Sequence, residues 1–147
     1  MDHREVIATT FKYWAAGDVD MSVSMLADDV VHQLYVAQTV FPFGGAHRGI
    51  DEVRQFLFSV LEMFDVVSFE ATHIRVEGDR GSAQCRFDYI HRASGERLCS
   101  TARFVITFRD GLIASMDEYH DEALVSAFMR LTEAKIAENG MIETDVT

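Results

Sequence analysis

Proline occurs once and cysteine twice in 147 residues, and glycine only nine times. So few chain breakers leave little room for long irregular linkers, and two thiols cannot build a disulfide framework. Basic residues are also scarce, with 13 Lys and Arg against 24 Asp and Glu, a net charge of −11. A sequence pI near 4.8 lacks the basic face that nucleic acid or an anionic membrane surface requires. No apolar run approaches the ~18 residues of a membrane span. The first residues, Met1-Asp2-His3-Arg4-Glu5, are charged and lead into a helical pattern. They contain no signal-peptide core, transit peptide or lipidation motif, which predicts a reduced cytoplasmic protein.

What remains is globular. The chain is 48% hydrophobic and 25% charged, enough to bury roughly two-thirds of its unfolded surface in a single domain. Val6, Ile7, Thr10, Phe11 and Trp14 recur at helical spacing, so residues 3–16 predict an amphipathic helix closed by Gly17. Asp18 or Asp20 caps a short second helix. A short strand follows over 30–35, then an apolar loop over 36–49 containing Phe41-Pro42-Phe43. A helix over 50–64 carries Val53, Phe56, Leu57, Val60, Leu61 and Phe64 as its buried stripe. The period then changes to that of strands over 66–77, 80–92, 97–108 and 112–120, separated by Gly78-Asp79, Ser94-Gly95 and Asp110-Gly111. Asp121 caps a last helix that Asn139-Gly140 stops. The layout is α+β: one domain over 1–138 and a frayed tail over 139–147.

Turn chemistry registers the sheet. A three-residue loop Ser94-Gly95-Glu96 pairs Ile90 with Ser100, Asp88 with Ala102 and Arg86 with Phe104. A three-residue loop Arg109-Asp110-Gly111 pairs Phe104 with Met116, Ala102 with Glu118 and Ser100 with His120. The rival two-residue Asp110-Gly111 turn sets Phe104 opposite Asp117 and flips that strand. The first choice keeps apolar residues together. It defines one face with a greasy end and a polar end of Arg86, Asp88, Glu118 and His120. Cys85 and Cys99 then share the opposite face, six positions or ~20 Å out of register, too far to bridge.

The helix, the Ala16-Gly17-Asp18 turn, Asp28-Asp29-Val30, the His47-Arg48-Gly49 lead into a helix and the four-strand meander together resemble the nuclear transport factor 2-like superfamily over residues 3–130. That resemblance implies a curved, mostly antiparallel sheet wrapped by helices into a cone around a deep pocket, a cystatin-like roll. The superfamily holds isomerases, polyketide cyclases, epoxide hydrolases, dehydratases and non-catalytic domains, so fold alone does not choose among them. The ketosteroid isomerase mechanism is not implied, because its acidic and tyrosine positions correspond to Leu34, Thr10 and Phe104. Arg86-Phe87-Asp88 and Glu118-Tyr119-His120-Asp121 are similar to the limonene-epoxide-hydrolase pattern, with glutamate for the second aspartate. The positions that orient water there correspond to His32 and Leu34. Polyketide cyclases of the SnoaL type use one acidic pocket residue, which Asp88 or Glu118 would supply.

The resulting expectation is a pocket for a small apolar organic molecule, with cofactor-free acid–base chemistry. Asp88 is the base, Glu118 the protonated acid and Arg86 the bridge between them. His32, Leu34, Ile90, Ser100, Ala102, Phe104, Met116 and His120 form the substrate wall. The alternatives are a structural ion network and a non-catalytic ligand-binding or dimerisation domain. No histidine or cysteine spacing predicts a metal site. The Phe41-Pro42-Phe43 loop is a lid, a dimer contact or a cap on the cone. The other sheet face, carrying Phe87, Tyr89, Thr101, Arg103, Val105, Ser115, Asp117 and Tyr119, predicts a homodimer contact.

Overall fold

At the hairpin between the last two strands, Asp110 and Gly111 both take positive φ, 54° and 77°. That is the two-residue turn whose twist matches a right-handed hairpin. It pairs Arg109 with Leu112 and Phe108 with Ile113. The three-residue turn expected from the sequence is therefore corrected. A bulge past Thr107 then shifts the ladder by one residue, so Ile106 meets Met116, Phe104 meets Glu118 and Ala102 meets His120. One wrong turn and one unforeseen bulge cancel in parity. Phe104, Met116, Glu118 and His120 share the inner face as expected, each one partner further along.

The computed structural model describes residues 1–145. Its elements are α1 (His3–Ala15), α2 (Val19–Val23), β1 (Leu26–Tyr35), β2 (Gly45–Arg48), α3 (Gly49–Met63), β3 (Phe64–Glu77), β4 (Arg80–His91), β5 (Arg97–Arg109), β6 (Leu112–His120) and α4 (Glu122–Asp145). The six strands form one curved, unclosed sheet in the order β2-β1-β6-β5-β4-β3, with β1 parallel to β6 and the other pairs antiparallel. The α+β architecture is thus the expected one. β2 is an addition: it lies in the stretch expected to be loop, and its four residues are too few to show a period.

The caps follow their chemistry. Asp2, Asp18 and Asp121 accept hydrogen bonds from the backbone N–H groups of Glu5, Met21 and Leu124. In α1, Val6, Ile7, Thr10, Phe11 and Trp14 are all buried against the sheet. α4 runs through Asn139-Gly140 to Asp145 rather than stopping there. A helical glycine costs only about 1 kcal/mol, too little to force a stop. Of the expected tail over 139–147, residues 146–147 lie outside the described residues. Among the described residues, no helix is long and apolar enough to cross a membrane.

The β4–β5 hairpin corrects the sequence reading most. His91 N–H donates to the Glu96 carbonyl (2.8 Å), and the loop is the four residues between them. The His91 ring bonds Ser94 Oγ at 2.8 Å and rests against Phe64 and Phe128, which closes the loop early. Ile90 consequently faces Arg97, Asp88 faces Cys99, Arg86 faces Thr101 and Cys85 faces Ala102. The slip is three residues, an odd number, so all of β4 is turned over relative to the expectation. Ala83, Cys85, Phe87 and Tyr89 point inward, while Gln84, Arg86 and Asp88 point outward. Burying Phe87 gains about 2 kcal/mol, and keeping both charges in water avoids their desolvation. Cys85 is buried and Cys99 exposed, on opposite faces, and both are free thiols.

Candidate active site: a histidine–glutamate–histidine set on an apolar cavity

Alternation along β6 sends Met116, Glu118 and His120 to the same side of the sheet. On the other side of the β1–β6 ladder, parallel pairing places His32 beside Met116 and Leu34 beside Glu118. Two strands thereby deliver three ionisable side chains to one spot. His32 Nε2 lies 2.7 Å from Glu118 Oε1, and His120 Nε2 lies 2.5 Å from Glu118 Oε2. Each carboxylate oxygen accepts one imidazole N–H. The rings are held from behind: His32 meets Phe56 edge to face at 5.1 Å, and His120 meets Phe87 in the same way at 5.6 Å.

All three groups lie on the wall of a cavity of about 110 Å³ lined by residues of α1, α3, α4 and the concave face of the sheet. The rest of the wall is largely aromatic and aliphatic, including Phe11, Trp14, Phe41, Phe56, Phe87 and Phe104. Burial pushes the Glu118 carboxyl up, but the hydrogen bonds from His120 and His32, and their charge, prevail. The group is held far below the usual carboxylate range. Glu118 is therefore an anion rather than the protonated acid expected from the sequence.

The expected meeting of Arg86 and Asp88 with Glu118 does not occur. Arg86 is exposed on the outer face. Asp88 accepts from the Arg97 guanidinium and from the Cys99 thiol on that same face. The Arg97 hydrogen bond lowers the Asp88 carboxyl against a smaller opposing push from desolvation. Of the expected substrate wall, His32, Leu34, Phe104, Met116 and His120 line the cavity. Ile90, Ser100 and Ala102 do not: Ile90 turned outward with β4, and Ala102 is buried beneath the wall opposite His120.

Tyr89 enters the site from the face on which it was not expected. It lines the cavity, and its oxygen accepts the Trp14 Nε1–H at 3.0 Å. One signal for this was available, because β4 read alone alternates apolar at 83, 85, 87 and 89 against polar at 84, 86 and 88. Of the Phe41-Pro42-Phe43 loop, Phe41 is buried on the cavity wall and meets Phe43 edge to face at 5.3 Å. The imidazole donors converge on the carboxylate. Among the described residues, no group of His, Cys, Asp and Glu has an arrangement that would hold a metal ion.

Solved structures share this architecture. A ketosteroid isomerase-like-fold protein from Catenulispora acidiphila, crystallised with trimethylamine, has a TM-score of 0.73 at 14% identity, covering 84% of this chain and 90% of that one. TerC co-crystallised with polyporic acid has a TM-score of 0.73 at 20% identity, covering 88% and 96%. A protein from Mesorhizobium loti, assigned as a SnoaL-like polyketide cyclase, has a TM-score of 0.67 at 21% identity, covering 82% and 100%. Likenesses this distant in sequence establish the fold. No curated protein matches the chain. The model of the SnoaL-like domain matches residues 7–116, from the first helix to the third residue before His120's neighbour Tyr119, and with most of its length so matched the chain belongs to the SnoaL-like domain family of the nuclear transport factor 2-like superfamily.

Proposed function

We propose that the cavity is an active site for cofactor-independent proton transfer on a small, mostly apolar molecule, in the manner of an isomerase, cyclase or dehydratase. One observation carries this reading: a carboxylate held between two imidazoles on an otherwise apolar wall. Each imidazole presents Nε2–H to Glu118, so in its neutral form the lone pair is on Nδ1. One imidazole removes a proton from carbon or oxygen of the substrate, and the anion between the rings stabilises the imidazolium that forms. The second ring enters as imidazolium and donates its Nδ1 proton at another atom. The substrate loses one proton and gains one, so neither oxidant nor reductant is consumed. Glu118 positions both bases and carries the charge.

The epoxide-hydrolase version of the sequence reading loses its support, since Arg86 and Asp88 stand on the far side of the sheet from Glu118. Two fold relatives crystallised with small ligands, trimethylamine and polyporic acid, support small-molecule binding by this fold. The test is solvent exchange. Ketones with acidic C–H bonds are incubated with the protein in D2O, and deuterium incorporation is followed by NMR. Wild type should accelerate incorporation, and His120→Asn and His32→Asn should each lower it by about 10²–10⁴-fold with the fold retained. Ligand binding without exchange for any ketone would reverse the assignment to a non-catalytic binding domain.

The outer sheet face supports a homodimer as a separate proposal. Tyr35 stacks on Tyr119 at 4.5 Å, and the Arg103 guanidinium sits 4.9 Å from the Tyr119 ring centre. Tyr35 is nonetheless 45% exposed, an aromatic platform left open to solvent. Concentration-independent sedimentation as a monomer would refute it.

A further inference from the structure

Besides the histidine–glutamate–histidine set, four hydroxyl or indole groups line the cavity: those of Thr10, Trp14, Ser22 and Tyr89. Three of them have protein acceptors for their hydrogens. Thr10 donates to the Val6 carbonyl at 2.7 Å, Ser22 to the Thr10 carbonyl at 3.3 Å and Trp14 to Tyr89 at 3.0 Å. Tyr89 is the exception. A phenol has one O–H and accepts through its oxygen lone pairs, whereas an indole only donates, so the Trp14 bond leaves the Tyr89 hydrogen unused. Among the described residues nothing accepts it.

A donor facing an apolar cavity is costly to leave unmatched, by an amount comparable to a hydrogen bond. The arrangement around Tyr89 prepares it to donate. The Trp14 N–H polarises the phenol oxygen and strengthens its O–H as a donor. Phe87 at 4.6 Å and Phe64 at 5.6 Å fix the ring. Burial, and to a smaller extent the Glu118 charge, pushes the phenol group far above its ordinary titration range, so the hydrogen stays in place. Phe87 also touches the His120 ring, at 5.6 Å. The phenol and the imidazole are therefore separated by about one aromatic ring along the wall.

We propose that Tyr89 is a specificity-determining residue that donates its O–H to an acceptor oxygen of the ligand, and that the cavity selects small apolar molecules bearing a carbonyl or ether oxygen. The placement of the reacting end against His32–Glu118–His120 rests on the proposed function. The Tyr89 contact does not. Trp14 acts behind it as the positioning residue.

The experiment compares 1-tetralone with tetralin, two bicyclic probes of nearly equal shape that differ by the carbonyl oxygen. Binding is measured by calorimetry. In wild type and Tyr89→Phe, emission of Trp14, the one tryptophan in the chain, reports that the probe has entered this cavity. Wild type should bind 1-tetralone more tightly. Tyr89→Phe should lower that preference about tenfold while leaving tetralin affinity unchanged. Trp14→Phe, which keeps the phenol and removes its orienting partner, should lower it less. An unchanged tetralone-to-tetralin ratio in Tyr89→Phe overturns the proposal, as does failure of both probes to bind wild type. If Tyr89→Phe does not fold, an unchanged ratio in Trp14→Phe overturns it. Loss of the ratio in a protein that shows no deuterium exchange upholds Tyr89 and removes the proton-transfer reading instead.

Discussion

His120 Nε2 lies 2.5 Å from Glu118 Oε2, and the two residues are neighbours on one face of β6. His32 completes the set from a strand 86 residues earlier in the chain. The carboxylate is thus ionised in the folded protein well below the pH at which it would protonate in the unfolded chain. A lowered folded value means stability that is fully present above about pH 4.3 and lost as pH falls toward the folded value. Glu118→Gln should therefore be less stable than wild type at pH 7, by about 1–3 kcal/mol. The two proteins should converge in acid. Chemical denaturation at a series of pH values checks this, and parallel curves would contradict the ionised assignment.

Asp88 faces away from the cavity and pairs with Arg97, itself more than half exposed. Exposed ion pairs contribute little. Asp88→Asn should leave the melting temperature, probe binding and deuterium exchange close to wild type. Thermal melts and the exchange assay check it, and a large loss of exchange would restore Asp88 to the reaction.

The two thiols differ sharply. Burial, with the Glu118 charge adding to it, pushes Cys85 up to about 12, whereas Cys99 is exposed on the outer face. Because the thiolate is the reactive form, Ellman's reagent should titrate one thiol in the native protein and two in denaturant. Cys99→Ser should abolish the native signal.

Gly44 is required by a close approach. A Cβ there would stand 1.9 Å from the Val36 carbonyl oxygen. Gly44→Ala should spread the loop over 36–44, which seats Phe41 on the cavity wall, and cost about 1–3 kcal/mol. Probe affinity should fall together with thermal stability, which calorimetric titration and melting measurements follow.

Much of this molecule is legible in its sequence. The amphipathic stripe of α1, the stripe of α3 and the bounds of β6 follow from periodicity, and Asp18 and Asp121 mark helix starts. His32, Glu118 and His120 were all expected on the pocket side. Their grouping was not, because it depends on parallel pairing of β1 with β6, which no local signal encodes. The placement of Arg86 and Asp88 failed for a different reason. The β4–β5 loop is closed by a side-chain bond between His91 and Ser94 and by burial of His91 under Phe64 and Phe128. Turn residues alone favour Ser94-Gly95-Glu96. Weighing the alternation of Cys85, Phe87 and Tyr89 against Arg86 and Asp88 would have outvoted that choice.

The parallel β1–β6 seam has a kinetic meaning as well. His32 is made early and Glu118 late, and the strands that carry them are adjacent only after all the chain between has been placed. Closing so long a loop raises the contact order and slows folding relative to the hairpins, which zip locally. During synthesis, a chain that ends before β6 has an open slot between β1 and β5, with unpaired backbone on both sides. The site and the sheet are thus completed by the same event. A nascent or truncated chain has no partial version of the site to use, and it exposes its most aggregation-prone edges until β6 closes the gap.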